Sequence, residues 1–482
     1  MTRPQAAVTV AGLPRFEVTA ATLGELASTE PSAEGTRLVL DVRRSKRLLL
    51  LRAVLDAAGT DAAVRAHWDL LEEAERSDPA AVHDVLHYPS TGVWAEETLR
   101  RLHARRGPAP DLGHLGALAA AAALRAGLPF KVVLRPSHGR LVLPTIGVLR
   151  PERPGPLALT EASWDPEDPA CLPLHRLPGG SPSPSGTASP SGTASPSGTA
   201  SASGTAPASG PVPAPRTAPA ARTAPPADTA PAPAPAPALA PATALDDLDP
   251  YRAAARSPVQ PARRLTPRGH KRWDTQWTGA LTLLERYDTA RAEEVRALLR
   301  SLVPLAGGSR SPGATLPAAP GSVLVRGQAP PALAATLVHE VQHGKLAALA
   351  DLLTLHTADR SPRHWAPWRT DPRPLDGLLH GTYAHLALAG YWQRAALYGA
   401  RGAWAQHARC RAQVAAVLPV LHAQEQLTKT GRLFVEAMVA AEQHMDELPP
   451  PGDQYVTARR AVDRERRAWC AAHPELAASA PG

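Results

Sequence analysis

Apolar positions recur at helical spacing through much of the first 125 residues. The run from Arg37 to Gly59 (RLVLDVRRSKRLLLLRAVLDAAG) carries this period, and DAAVRAHWDLLEEAERS, WAEETLRRLHARRG and LGALAAAAALRAGL continue it, which predicts a mainly helical N-terminal part. From Pro129 to Leu149 the pattern changes. Two β-branched runs flank Ser137-His138-Gly139, predicting a hairpin or two strands that turn there, with His138 as a turn residue. Later in the chain the spacing predicts a helix around Thr278 to Val303, a short strand over Gly321 to Gly327 (GSVLVRG), and long helices to the end. The expected fold class is α+β, predominantly α-helical.

Between Pro178 and Leu245 the periodicity disappears. Ser, Pro, Gly, Thr and Ala fill the segment, with a six-residue repeat (SPSGTA) from Ser183 to Ala200 and Pro-Ala alternation from Ala230 to Ala238. So few large side chains cannot offset the entropy of ordering the backbone, so a disordered connector is expected. The expected organisation is an N-terminal helical part with a β-hairpin (1–177), the connector (178–245) and a helical metal-binding part (246–482), the two folded parts being able to pack as one unit. Much of the excess of 53 Pro in 482 residues belongs to the connector.

Composition narrows the setting. Three cysteines, at 171, 410 and 470, are too few and too scattered for a disulfide framework or a cysteine-rich zinc module. The first residues hold no signal-peptide core, and no later run approaches the ~18 apolar residues of a membrane span. A soluble cytoplasmic protein with no membrane partner is expected. The formal charge of +8 comes mostly from Arg, clustered at Arg43 to Arg47 (RRSKR) and Arg263 to Trp273 (RRLTPRGHKRW). These clusters read as solvated faces, and a nucleic-acid partner is not expected.

The sharpest chemical signal follows Pro330 and Pro331. A strongly helical run, ALAATLVHEVQHGKLAALADLLTL, contains His339-Glu340-Val341-Gln342-His343, the HExxH pattern. Residues four apart lie one turn above each other, so both imidazoles can share a metal, with Glu340 beside them as candidate catalytic acid or base. With 18 His in the chain, chance would supply only roughly 0.03 such motifs. The extended metalloprotease form is excluded because Leu346 and Leu349 stand where its Gly and His would be.

A third ligand must come from elsewhere. Glu436, in GRLFVEAMVAAEQH, is one candidate, and His380 or His385, in LLHGTYAHLALAGYW, are the others. The two histidines are five apart, about 140° around a helix, so they are not expected to face one metal together, and one of them is expected to be a packed or surface residue. Between the helices lies HWAPWRTDPRP. Its Arg369 and Arg373 could grip the carboxylate of an organic-acid cosubstrate, or pair locally with Asp371 or Asp376 and brace the loop.

These stretches together resemble a known family. LVHEVQHGKLAALADLLTL, the Pro-Trp-Arg-Thr-Asp-Pro-Arg-Pro loop, the Gly-Thr-Tyr-Ala-His run and VRRSKRLLLLRAVLDAA near the start are similar to the HExxH-domain peptide-modification proteins that accompany small ribosomally made peptides. The resemblance covers both folded parts and skips the connector. It implies an iron(II)- and 2-oxoglutarate-dependent β-hydroxylase of a precursor peptide in natural product biosynthesis, an oxidoreductase of the dioxygenase class, working beside a radical-enzyme partner of the same pathway. It implies iron ligation by His339, His343 and His385, and 2-oxoglutarate binding by Arg369 and Arg373. This chain has His380 where the family's run would carry Gln. Two alternatives stay open: a zinc metallopeptidase with Glu340 as general base, and a non-catalytic partner that binds the precursor peptide through its N-terminal helices.

Overall fold

The computed structural model describes residues 16–104, 107–137, 139–179, 242–254, 257, 259–307 and 312–477. Helices predominate and the strands are short. The N-terminal part runs α1 (Ala20–Ala27), α2 (Ala33–Ala58), α3 (Ala62–Ser77), α4 (Pro79–Leu86), α5 (Pro89–His103) and α6 (Gly113–Arg125), then β1 (Lys131–Leu134), β2 (Leu141–Leu143), β3 (Gly147–Leu149), β4 (Leu157–Thr160), β5 (Cys171–Pro173) and β6 (His175–Arg176). The C-terminal part runs β7 (Ala244–Leu245), α7 (Pro267–Tyr287), α8 (Thr289–Leu298), β8 (Ser301–Pro304), β9 (Gly313–Thr315), β10 (Ser322–Val325), α9 (Pro330–Leu352), α10 (Leu375–Leu397), α11 (Ala403–His422), α12 (Lys429–His444), α13 (Gly452–Ala472) and α14 (Pro474–Ala477). Among the described residues no helix is long and apolar enough to cross a membrane.

Local chemistry sets many of these boundaries. Ser32, Asp61 and Asp78 each accept a backbone N–H at the start of α2, α3 and α4. The single helix expected around Thr278 to Val303 is instead two helices and a strand. Thr266 caps a start at Pro267, and Asp288 both ends α7 and caps α8 through the N–H of Arg291. Val303 then lies in β8, whose four residues are all buried. A central parallel strand is apolar on both faces, so its sequence cannot be told from helix by periodicity.

The expected turn at Ser137-His138-Gly139 does not join paired strands. Ser137 and Arg140 close it with two backbone hydrogen bonds (2.9 and 3.0 Å), and His138 lies outside the described residues. The hairpin is β2 with β3, across Pro144-Thr145-Ile146, while β1 pairs with the distant β4. Pro136 removes the donor that would carry the β1 ladder onward.

The main sheet has the order β6-β7-β8-β10-β9. Strands β7, β8 and β10 are parallel, and β6 and β9 are antiparallel edges. Strand β6 precedes the expected connector and β7 lies at its very end, yet His175 opposes Leu245 and Arg176 opposes Ala244. Ala244 and Leu245, assigned to the connector on composition, are therefore buried strand residues. Within that segment, residues 180–241 lie outside the described residues.

The folded residues on both sides of this segment form one compact unit. Helix α2, about 39 Å long at 1.5 Å per residue, runs through both of its large cores. Val39 and Val42 pack with α7, α9 and α10, whereas Leu51 and Val54 pack with α3 to α6 and the small sheets. The basic cluster on α2 is only partly a solvated face: Arg44 is exposed, but Arg43 and Arg47 turn inward. Arg47 is buried and donates to the carbonyls of Leu86 and Tyr88, and Arg43 donates to that of Leu298. Being four apart, the two guanidiniums lie on one side of the helix.

Candidate functional site

Helix α9 begins at two prolines, whose fixed φ suits a first helical turn and whose missing N–H groups cost nothing there. Its rear face is buried against α8. Glu294 of α8 accepts from Lys345 at 2.6 Å, from Arg291 at 3.2 Å and from Gln342 Nε2 at 3.3 Å. Burial pushes the Glu294 carboxyl up, but Lys345 and Arg291 outweigh it and hold the group below its usual range. Gln342 lies inside the HExxH run, so this buried ionic knot fixes the rotation of α9.

The front face of α9 looks into a cavity of about 1460 Å³. His339 and His343 place their Nε2 atoms 3.1 Å apart, with the rings edge to face. Helix α10 supplies two more imidazoles. His385 stands edge-on to His339 (5.1 Å between centroids), and His380 lies against His343 (5.7 Å). Five residues of helix span about 7.5 Å, so His380 and His385 do not converge on one point. Each instead faces its own partner on α9. Both line the cavity.

His385 is held on two sides. Its Nδ1 donates to the carbonyl of Gly381 at 2.8 Å, which leaves Nε2 as the unprotonated nitrogen of the neutral ring. The indole of Trp368 stacks on it at 4.3 Å. That stack needs a glycine at 381, where a Cβ would lie 2.5 Å from Trp368 Cζ2.

Glu340 is buried on the same wall. Its Oε2 accepts from Thr315 Oγ1 at 2.8 Å, and the same hydroxyl lies 3.1 Å from the Glu340 carbonyl. The loop arginines divide. Arg369 binds Asp371 with two hydrogen bonds (2.8 and 3.1 Å), so it braces the loop. Arg373 is 3.6 Å from Asp371, its guanidinium lies over Gly377, and its charge reaches His343. Glu436 does not line the cavity; it is half exposed on α12, 3.8 Å from His422.

Other lining residues carried no sequence signal. Thr315 comes from a three-residue edge strand, and Arg409, Gln413, Glu465 and Trp469 come from α11 and α13. Arg409 pairs with Glu465 at 2.8 Å. Among the described residues, no group of three or more His, Cys, Asp or Glu is close enough to hold a metal ion as it stands. His339 and His343 are two adjacent donors, and His385 would have to close on them to complete a set.

No family model matches the chain, and no curated protein does.

The chemistry is therefore read from the cavity. Burial, reinforced by the neighbouring imidazoles, pushes His339 well below its ordinary value and His343 to about 3. Burial takes His385 to about 4 and raises Glu340 to about 7, against the opposing hydrogen bond from Thr315. At neutral pH the imidazoles are lone-pair donors, as metal ligation requires. Glu340 is poised to hold or release a proton. Two Nε2 atoms 3.1 Å apart also suit two bonds of ~2.1 Å to a single ion.

Proposed function

We propose that the cavity is the active site of a metal-dependent enzyme that modifies a ribosomally made peptide, hydroxylating a side-chain Cβ with iron(II), oxygen and 2-oxoglutarate. The observation that carries this reading is the His339 and His343 pair, neutral and 3.1 Å apart, on a cavity wall that also presents Arg373. The resemblance of the HExxH helix, the Arg-bearing loop and the Gly-Thr-Tyr-Ala-His run to peptide-modification proteins supports it.

His339 and His343 would hold the metal, with His385 as third donor once it closes on them. A three-histidine set departs from the usual two-histidine, one-carboxylate arrangement of such iron sites. When bound, iron and 2-oxoglutarate supply the oxidation of the C–H bond. The chain's own residues do the rest. Arg373 takes the cosubstrate's carboxylate, a role Arg369 gives up to Asp371. Trp368 covers the face of His385 and keeps water from it. Glu340, held by Thr315, orients the ligand set from beside His339.

One observation favours a second reading. A carboxyl raised to about 7 beside two histidines suits a general base, as a zinc peptidase would use. One experiment separates the two. The protein is loaded anaerobically with iron(II) or zinc, then given 2-oxoglutarate, oxygen and the short peptide encoded beside its gene. A product heavier by one oxygen atom, formed only with iron and 2-oxoglutarate, is expected. Cleavage with zinc alone overturns hydroxylation in favour of hydrolysis. In the same assay His339→Ala should lose bound metal, and full metal stoichiometry in that variant would place the site elsewhere.

A further inference from the structure

Helix α13 contributes Glu465 and Trp469 to the cavity, and the metal chemistry leaves both unused. Being four apart, they lie one turn above each other on the same side of the helix. Trp469 is buried, and its Nε1 is shielded from solvent with no acceptor among the described residues. Glu465 Oε2 is shielded in the same way and has no donor. Arg409 takes only the other oxygen, Oε1, at 2.8 Å. The indole is the deeper of the two groups, since the Glu465 side chain is 39% exposed and free to turn its carboxylate. One wall of the cavity thus carries an unmet donor and an unmet acceptor, about 6 Å apart along the helix axis.

Buried polar groups are nearly always paired, because leaving one unmet costs more than its bond would return. Two such groups on one helical turn, both lining a cavity, call for a ligand group that completes them. The neighbours set its chemistry. An anion would meet the Glu465 carboxylate, and a cation would meet Arg409, with Arg466 lying 6.0 Å from the Trp365 ring. Arg409 and Glu465 already neutralise each other, so an uncharged group fits, one that offers an oxygen to the indole and an N–H to the carboxylate. That group is an amide. We infer that Trp469 and Glu465 form a subsite that grips one amide of the substrate peptide, Trp469 Nε1 donating to its oxygen and Glu465 Oε2 accepting from its nitrogen. The inference rests on the peptide reading above. The subsite adjoins the metal donors: Gln413, one turn from Arg409 on α11, donates to the carbonyl of Pro367 at 3.4 Å, next to the Trp368 that stacks on His385. The cavity, at about 1460 Å³, exceeds the ~300–1,000 Å³ of small-ligand sites and has room for a chain segment between the two. Gripping one amide would then fix which residue of the peptide reaches His339 and His343.

The test is an anaerobic titration of the full-length, iron(II)-loaded protein with the peptide encoded beside its gene, synthesised whole. Trp469→Phe keeps an aromatic ring and removes the N–H. Glu465→Gln keeps an oxygen for Arg409 and puts an NH2 group where the unmet acceptor stood. Each should raise the peptide Kd roughly five- to tenfold, the loss of one net hydrogen bond. Neither breaks a buried bond within the protein, so melting temperature and bound iron should hold at the wild-type values. A Kd that does not change, or that rises only where the melting temperature falls, overturns the subsite. Two peptide series then separate a backbone amide from an Asn or Gln side chain: one methylates each backbone nitrogen in turn, and the other replaces each Asn or Gln by Leu. A position whose change weakens binding to wild type by roughly fivefold, yet adds nothing in Glu465→Gln, supports the inference and identifies the amide. The absence of any such position in both series overturns it, and this arm stands even if Trp469→Phe does not fold. Wild-type protein that does not bind the unmodified peptide overturns the peptide reading itself, whereas binding that ignores both substitutions overturns the subsite alone.

Discussion

Gly313 shows how narrowly single residues define this cavity. A Cβ there would lie 2.7 Å from Thr336 Cγ2 and 2.9 Å from Glu340 Oε1, so Glu340 occupies the space that the missing side chain leaves. Gly313→Ala should therefore displace the carboxylate, cost about 1–3 kcal/mol through overpacking, and cut activity more than stability. Urea unfolding and turnover on the same preparation would check it, and unchanged turnover would remove Glu340 from the mechanism. At this scale the sequence was only partly legible. His339, Glu340 and His343 could be found because a four-residue spacing on a helix is itself geometry. Thr315 and Gly313 could not, since nothing in Gly-Ala-Thr marks a strand that approaches a helix from 25 residues away. Arg369 and Arg373 looked alike in the loop, and the position of Asp371 separated them.

The elements behind the site bear loads that their own sequences conceal. Lys345 and Glu294 are each almost fully buried, and Glu294 is shared with the buried Arg291. Lys345→Met leaves Glu294 paired with Arg291 and should destabilise the protein by about 1–3 kcal/mol, whereas Glu294→Leu takes the shared carboxylate from two buried cations and should cost about 3–5 kcal/mol. Equal stability of the two variants in urea would show that the shared carboxylate does not anchor α9. Strand β7 makes a different prediction. Burial, then the charge of Asp249, pushes Asp246 up to about 7, although Tyr88 and backbone N–H groups hydrogen-bond its carboxylate. The folded state thus holds a proton that the unfolded chain releases near pH 3.8. From this group, stability is lost as pH rises from about 4 to about 7. Thermal melts at pH 5 and pH 8 should show a smaller drop for Asp246→Asn than for wild type, and parallel drops would refute the shift. The helices α2, α3, α5, α6 and α9 were legible as periodic runs. The β1 with β4 pairing was not, because strand partners 26 residues apart leave no local trace.

Over the whole molecule, the two folded segments that composition separates are joined by α2 and by the sheet. Helix α2 contributes to both cores, and β6 extends a sheet otherwise made of C-terminal strands. Composition could not reveal that the strands on either side of the segment are neighbours. Arg176 and Ala244 are cross-strand partners, so the chain leaves and re-enters the fold at one spot. Replacing residues 181–239 by a short Gly-Ser turn should leave the melting temperature within a few degrees and keep metal binding. A large loss of either would give the segment a structural role.

The pairing of β6 with β7 sets the two ends of the intervening stretch of chain side by side. The entropy of closing a flexible loop grows only with the logarithm of its length, by about 0.6 kcal/mol per doubling. Copies of SPSGTA could therefore be gained or lost with almost no folding penalty. Adding or removing repeats at this position should leave the melting temperature almost unchanged, and any limit on their number would then come from outside the fold.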